Sequence, residues 1–173
     1  FAGFGKVTVT DGLGNVMISF FHQGNTTDST HGESTDDASK IGKQYREEIY
    51  DNVSNLFKTT ITDWTNVDLG NDRDFVFANQ VLTLVYDGDS DHKDTLVDYT
   101  FDNTTGNLLA QESLGYVTGA DDGTYADTGV DEILTTYTYA TDTNGIIRGA
   151  VSSVATEGQS GGAASLSRRY YDE

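Results

Sequence analysis

Lys6-Val7-Thr8-Val9-Thr10 alternates apolar and polar residues with a period of two, and the same period runs through 16–21, Thr59–Trp64, Phe75–Tyr86, Leu96–Phe101 and Leu134–Tyr139. Successive side chains of an extended strand point to opposite faces. Alternation carried by Val, Ile, Thr, Tyr and Phe therefore predicts half-buried strands. At this regular spacing, and with turn residues between them, they predict an all-β antiparallel architecture. One stretch fits two periods. Between Gln44 and Lys58, Tyr45, Ile49, Val53 and Leu56 lie on a helical stripe, yet the residues also divide into strand 45–50, turn 51–54 and strand 55–64.

A recurring corner decides for strands. Asp11-Gly12-Leu13-Gly14-Asn15 precedes Val16, and Asp51-Asn52-Val53-Ser54-Asn55 precedes Leu56. Asp102-Asn103-Thr104-Thr105-Gly106-Asn107 precedes Leu108, and Asp142-Thr143-Asn144-Gly145 precedes Ile146 in a looser copy. Tyr170-Tyr171-Asp172 opens another as the sequence given ends. In each, the Asp carboxylate can accept from backbone amides two or three residues on, while Gly and Asn tolerate the positive φ of a tight hairpin. The flanking aromatic and aliphatic residues supply cross-strand pairs. One copy is an ordinary hairpin; repeated copies predict a curved or spiralling sheet of stacked hairpins.

Composition removes several function classes. With 10 Lys+Arg against 28 Asp+Glu, the net charge of −18 disfavours nucleic acid and anionic membrane surfaces. No apolar run is long enough for a membrane-spanning helix. The absence of Cys removes disulfides, thiol nucleophiles and Cys-ligated metals. Ten Tyr and eight Phe argue for a packed core rather than an acidic disordered chain. The sequence starts at Phe1 without a signal-peptide pattern, which reads as a processed chain or an excised piece.

The strand, Tyr-Asp, turn, Gly-Asn-Leu unit resembles the YD repeats of Rhs proteins, teneurins and the B and C components of bacterial insecticidal toxin complexes. Phe1-Ala2-Gly3-Phe4-Gly5-Lys6-Val7, Asp11–Asn15, Phe20-Phe21-His22-Gln23-Gly24 and 42–51 (GKQYREEIYD) are similar to the propeller-to-shell segment and first repeats of SpvB-like toxin B components. The likeness covers most of the chain, loosely after about residue 110. It implies a hollow β-shell that encloses a C-terminal polypeptide, in a bacterial protein that is secreted or held at the cell surface. The family's self-cleaving aspartyl site lies C-terminal to the repeats and has no match here, so no catalytic residue carries over. Ser54 in place of Gly, the absence of proline and the short length depart from the pattern.

Other motifs are weaker. Asp87, Asp89, Asp91 and Asp98 fall at positions 1, 3, 5 and 12 of a calcium loop, but His92 replaces the usual Gly and Asp98 the usual Glu. The competing reading is a solvated hairpin tip. Asp121, Asp122, Asp127, Asp131 and Glu132 form a second acidic cluster. Gly158-Gln159-Ser160-Gly161-Gly162 matches a nucleophile elbow in letters only, because no strand-to-helix context surrounds it. His22, His31 and His92 read as surface histidines, and Trp64 as core rather than a sugar platform.

The sequence thus predicts residues 1–156 as a YD-repeat-like β-domain, followed by a Gly/Ser spacer and the start of a further strand over 157–173. The expected role is structural and non-enzymatic, with no cofactor unless calcium binds. Partners would be neighbouring repeats or subunits meeting through strand edges, with a homo-oligomer or filament possible. The alternative is an extracellular adhesin or fibre subunit that assembles by edge pairing, with or without calcium. A carbohydrate-binding β-domain ranks third.

Overall fold

A computed structural model of the chain describes residues 3–140, 149–158 and 163–171. Eleven strands form one antiparallel sheet: β1 Lys6–Thr10, β2 Val16–Phe21, β3 Gln44–Tyr50, β4 Leu56–Asp68, β5 Asp74–Val85, β6 Lys93–Phe101, β7 Leu108–Gly119, β8 Tyr125–Asp127, β9 Ile133–Tyr139, β10 Val151–Gly158 and β11 Ala163–Arg168. Sequence order is sheet order from β1 to β7, then β9, β10 and β11, and β8 pairs with the far end of β7. Gln44–Lys58 is two strands around a corner, not a helix.

The register explains where the core sits. One row of directly paired residues crosses six strands as Phe20, Arg46, Ile61, Leu82, Leu96 and Gly115. The next row on the same face runs Ile18, Glu48, Thr59, Leu84, Asp94 and Val117. Ile61, Leu82, Leu84, Leu96 and Val117 from these rows, with Tyr86, make the buried apolar cluster. Period-two alternation delivers those side chains to one face.

Two segments cover that face. The 22–43 connection between β2 and β3 is a long loop with single 3-10 turns at Ser29–His31 and Ala38–Lys40. The end of β7 and the turn into β8 fold over from the other side. A Cβ on Gly119 would lie 2.8 Å from Leu84 and 3.0 Å from Leu82. A Cβ on Gly32, in the loop, would lie 2.7 Å from Ile61 Cγ2. The two covers meet above Ile61, where Gly32 and Gly123 are neighbours.

The acidic segment 119–131 carries a short strand, because Tyr125–Asp127 pairs with 117–119 of β7. Residues 157–165 are not one spacer: Glu157 and Gly158 belong to β10, 163–165 to β11, and the two strands pair within the same sheet. Finally, β7, β10 and β11 were not legible as strands. β7 breaks its own alternation, since a bulge shifts its register against β6 between Leu96 and Val97, and β10 is rich in small polar residues.

Candidate functional site

The corners come first because the sequence singled them out. Asp11 Oδ1 accepts from the amides of Leu13 (2.8 Å) and Asn15 (2.9 Å), and Oδ2 accepts from Asn15 Nδ2 (2.9 Å). Asp51 repeats the set with Val53 (2.9 Å), Asn55 (2.8 Å) and Asn55 Nδ2 (2.9 Å). The backbone repeats as well: Asp11 N donates to Asn15 O at 2.9 Å, and Asp51 N to Asn55 O at 3.0 Å. Gly14 and Ser54 take the same positive-φ position, at 90° and 70°. The Asn15 side-chain and backbone hydrogen bonds hold the exposed Asp11 carboxyl below the usual carboxylate range. At Asp51 burial is the largest single influence and pushes the carboxyl up, but the bonds from Asn55 and Val53 together outweigh it and the carboxyl is lowered.

The third corner is one residue longer. Asp102 Oδ1 accepts from Thr104 (2.7 Å) and Thr105 (3.2 Å), which lower its carboxyl, and Asp102 N donates to Asn107 O (2.8 Å). Gly106 takes the positive φ of this turn. Asp142 and Gly145 lie outside the described residues. The β7–β8 turn, missed in the sequence, has the same five-residue backbone: Ala120 N donates to Thr124 O (2.8 Å) and Gly123 N to Ala120 O (2.9 Å). Ala120 occupies the Asp position, which leaves the adjacent Asp121 carboxylate for another task.

That task is tying the turn to the sheet. Arg46 Nη2 donates to Asp121 Oδ1 at 3.0 Å, Nη1 to Asp121 O at 2.8 Å, and Nε to Glu48 Oε1 at 2.6 Å. Tyr50 donates to Glu48 Oε2 (2.9 Å) and Tyr86 to Asp121 Oδ1 (3.2 Å). Burial and the Asp121 carboxylate push the Tyr86 phenol up to about 12. Partner satisfaction on this scale lets a charged group sit in the core rows.

The 22–43 loop is organised around His22, which is fully buried rather than on the surface. Backbone bonds from His22 N to Lys43 O and from Gly42 N to His22 O, both 2.9 Å, close its base. Asp36 returns to accept the amides of Gln23 (3.2 Å), Gly24 (3.0 Å) and Asn25 (2.9 Å). His22 Nδ1 lies 3.0 Å from Glu33 Oε1 and 3.2 Å from Asp36 Oδ1. Burial first, and then the Asp36 charge, raise the Glu33 carboxyl. In Asp36 burial works the same way, but the three amides and His22 outweigh it and the carboxyl is lowered. No sequence spacing announced this group. His31 is half-exposed and pairs with Asp28 (2.7 Å), while His92 pairs with buried Asp94 (2.5 Å).

The calcium-loop residues are not gathered. Asp87, Asp89 and Asp91 sit at the β5–β6 tip, whereas Asp98 lies in β6 and accepts from Gln80 Nε2 (2.8 Å). At roughly 3.3 Å per residue, the five steps from Lys93 put Asp98 about 17 Å down the strand. A strand in place of a helix after the loop is the physical reason. Trp64 is half-buried, donates from Nε1 to Gln44 O (2.8 Å) and lies under Lys43, so it secures the base of the loop. Among the described residues no helix is long and apolar enough to cross a membrane.

No family model and no curated protein matches the chain. Among solved structures, the crystal structure of TcdB2-TccC3, a toxin-complex component, is similar to it with a TM-score of 0.60 at 14% identity. The match covers 95% of this chain and 12% of that one, so the chain spans about an eighth of its structural neighbour. At that identity the likeness shows the fold alone, an antiparallel β-sheet.

Proposed function

We propose that this chain is a wall segment of a larger Rhs-like, YD-repeat protein of bacteria, secreted or displayed at the surface, and that its role is mechanical rather than catalytic. One observation carries the reading. Antiparallel hairpins, two of them with a near-identical Asp corner, are laid side by side into one open sheet that runs through most of the described residues. Such a unit adds strands without limit and closes a volume only when more of them follow. Among the described residues β1 pairs only with β2 and β11 only with β10, and flanking strands of the same polypeptide would satisfy their outer edges. The exposed surface inherits the strong negative charge, which keeps a large assembly soluble.

Small-angle scattering and electron microscopy of the full polypeptide containing this segment test the reading. A hollow particle, with the polypeptide that follows the repeats protected from protease, is expected. Filaments built by head-to-tail pairing of β1 and β11, with nothing enclosed, would replace it with the fibre-subunit reading.

A further inference from the structure

The group formed by His22, Glu33 and Asp36 is not accounted for by hydrogen bonding. Two carboxylate oxygens face the same ring nitrogen, at 3.0 and 3.2 Å, and a single N–H serves one acceptor well. The other ring nitrogen, Nε2, is buried with no hydrogen-bond partner. An ion bound at Nδ1 would relieve the crowding there, and Nε2 would then carry the ring proton.

Charge balance points the same way. The three side chains are 0%, 4% and 1% exposed, so two carboxylates are buried against at most one imidazolium. An unbalanced buried charge is expensive. The nearby cations are committed elsewhere: Lys40 Nζ donates to Thr35 O (2.7 Å) and Ser34 Oγ (3.4 Å), and Arg46 to Glu48 and Asp121. A divalent ion placed among the three groups would balance both carboxylates.

The geometry accommodates one. The three ligand atoms lie within 4.8 Å of one another. Bonds of about 2.0–2.1 Å in a tetrahedral site set ligand separations of about 3.3 Å, close to the two observed distances. The ligands are also held from behind. The Gln23, Gly24 and Asn25 amides fix Asp36, the Asp28 amide binds Glu33 Oε2 (2.5 Å), and the Tyr45 ring packs on His22 with centroids 5.2 Å apart. Outer contacts of this type orient first ligands in metal sites. One imidazole with two carboxylates suits zinc, whereas calcium prefers six or more oxygens.

We propose that His22, Glu33 and Asp36 bind one zinc-type divalent ion, which ties the 22–43 loop onto the sheet. Water would fill the fourth position. The proposal stands independently of the wall-segment reading.

The test is metal content and melting temperature of the full chain, loaded with zinc chloride, freed of excess and measured before and after EDTA. About one zinc per chain is expected, with a melting temperature that rises by at least about 5 °C and falls back with EDTA. Cobalt chloride in place of zinc should give visible absorption of a four- or five-coordinate ion. Glu33→Gln, which keeps shape and removes charge, should weaken binding at least about tenfold, while His31→Ala should leave it unchanged. Folded wild-type chain with background zinc and the same melting temperature in zinc and EDTA overturns the proposal. Zinc that persists in Glu33→Gln but is lost in His31→Ala overturns it too, by placing the ion at the surface.

Discussion

Arg46 Nη2 and Asp121 Oδ1 lie 3.0 Å apart although 75 residues separate them in the chain. Asp121 belongs to the β7–β8 turn and Arg46 to β3, four strands away in the sheet. A flat sheet would separate such strands by about 19 Å, at roughly 4.8 Å per step. The bond exists because the turn folds back over the core face. Arg46 Nη1 also reaches His31 O in the loop at 3.5 Å, so sheet, loop and turn are joined at this residue.

Arg46→Ala should therefore cost about 3–5 kcal/mol, because it leaves the buried Glu48 without its cation. Asp121→Ala should cost no more than about 1 kcal/mol, since that side chain is 62% exposed and its backbone carbonyl still accepts from Arg46. Urea unfolding of the two variants gives the comparison, and equal losses would refute the ranking.

At Gly32 a methyl group meets Ile61 at 2.7 Å, and the backbone has a φ of 77°. Gly32→Ala should destabilise by about 2–3 kcal/mol through overpacking and strain together. Ile61→Val in the same background should recover part of the loss, because it trims the neighbour. Thermal unfolding of the single and double variants checks this.

Ser54 holds the corner position that Gly14 holds in the first turn, and a non-Gly residue pays for positive φ. Ser54→Gly should stabilise by about 0.5–1 kcal/mol, and Gly14→Ser should do the reverse. Denaturant midpoints read the pair; a loss on Ser54→Gly would show that Ser54 makes a compensating bond.

The corner carboxylates Asp11, Asp51 and Asp102, and Asp36 in the loop, titrate below their ordinary value of 3.8. Their contribution is complete above that value and is lost as pH falls through the lowered one. Glu33 acts oppositely: its raised carboxyl makes the fold lose stability as pH climbs from 4.5 through the raised value. Unfolding between pH 2 and 5 should show a steep acid loss, shallower in Asp51→Asn. Glu33→Gln should flatten the slope above pH 4.5.

Calcium at millimolar concentration should leave the melting temperature unchanged, since Asp98 stands along β6 while Asp87, Asp89 and Asp91 stand at the tip. A rise of several degrees, abolished by Asp89→Asn, would show that the tip gathers ligands of its own.

The sequence alone determined the strand character of most of the sheet, its antiparallel pairing and the place of the Asp corners at 11, 51 and 102. These depend on local rules: period-two alternation, an Asp reaching its own neighbours' amides, and a residue that tolerates positive φ. Residues 44–58 show the limit of periodicity, which admits helix and strand alike until the corner chemistry chooses. β7 stayed hidden because its bulge breaks the alternation, and β10 because small polar residues carry little pattern. Only tertiary structure decided which face is buried, that Arg46 and Glu48 lie in the core rows, and that His22 meets Glu33 and Asp36. The His22–Asp36 and Arg46–Asp121 contacts join residues 14 and 75 apart, set by how a long loop and a turn close over the sheet, and no local spacing encodes such closure.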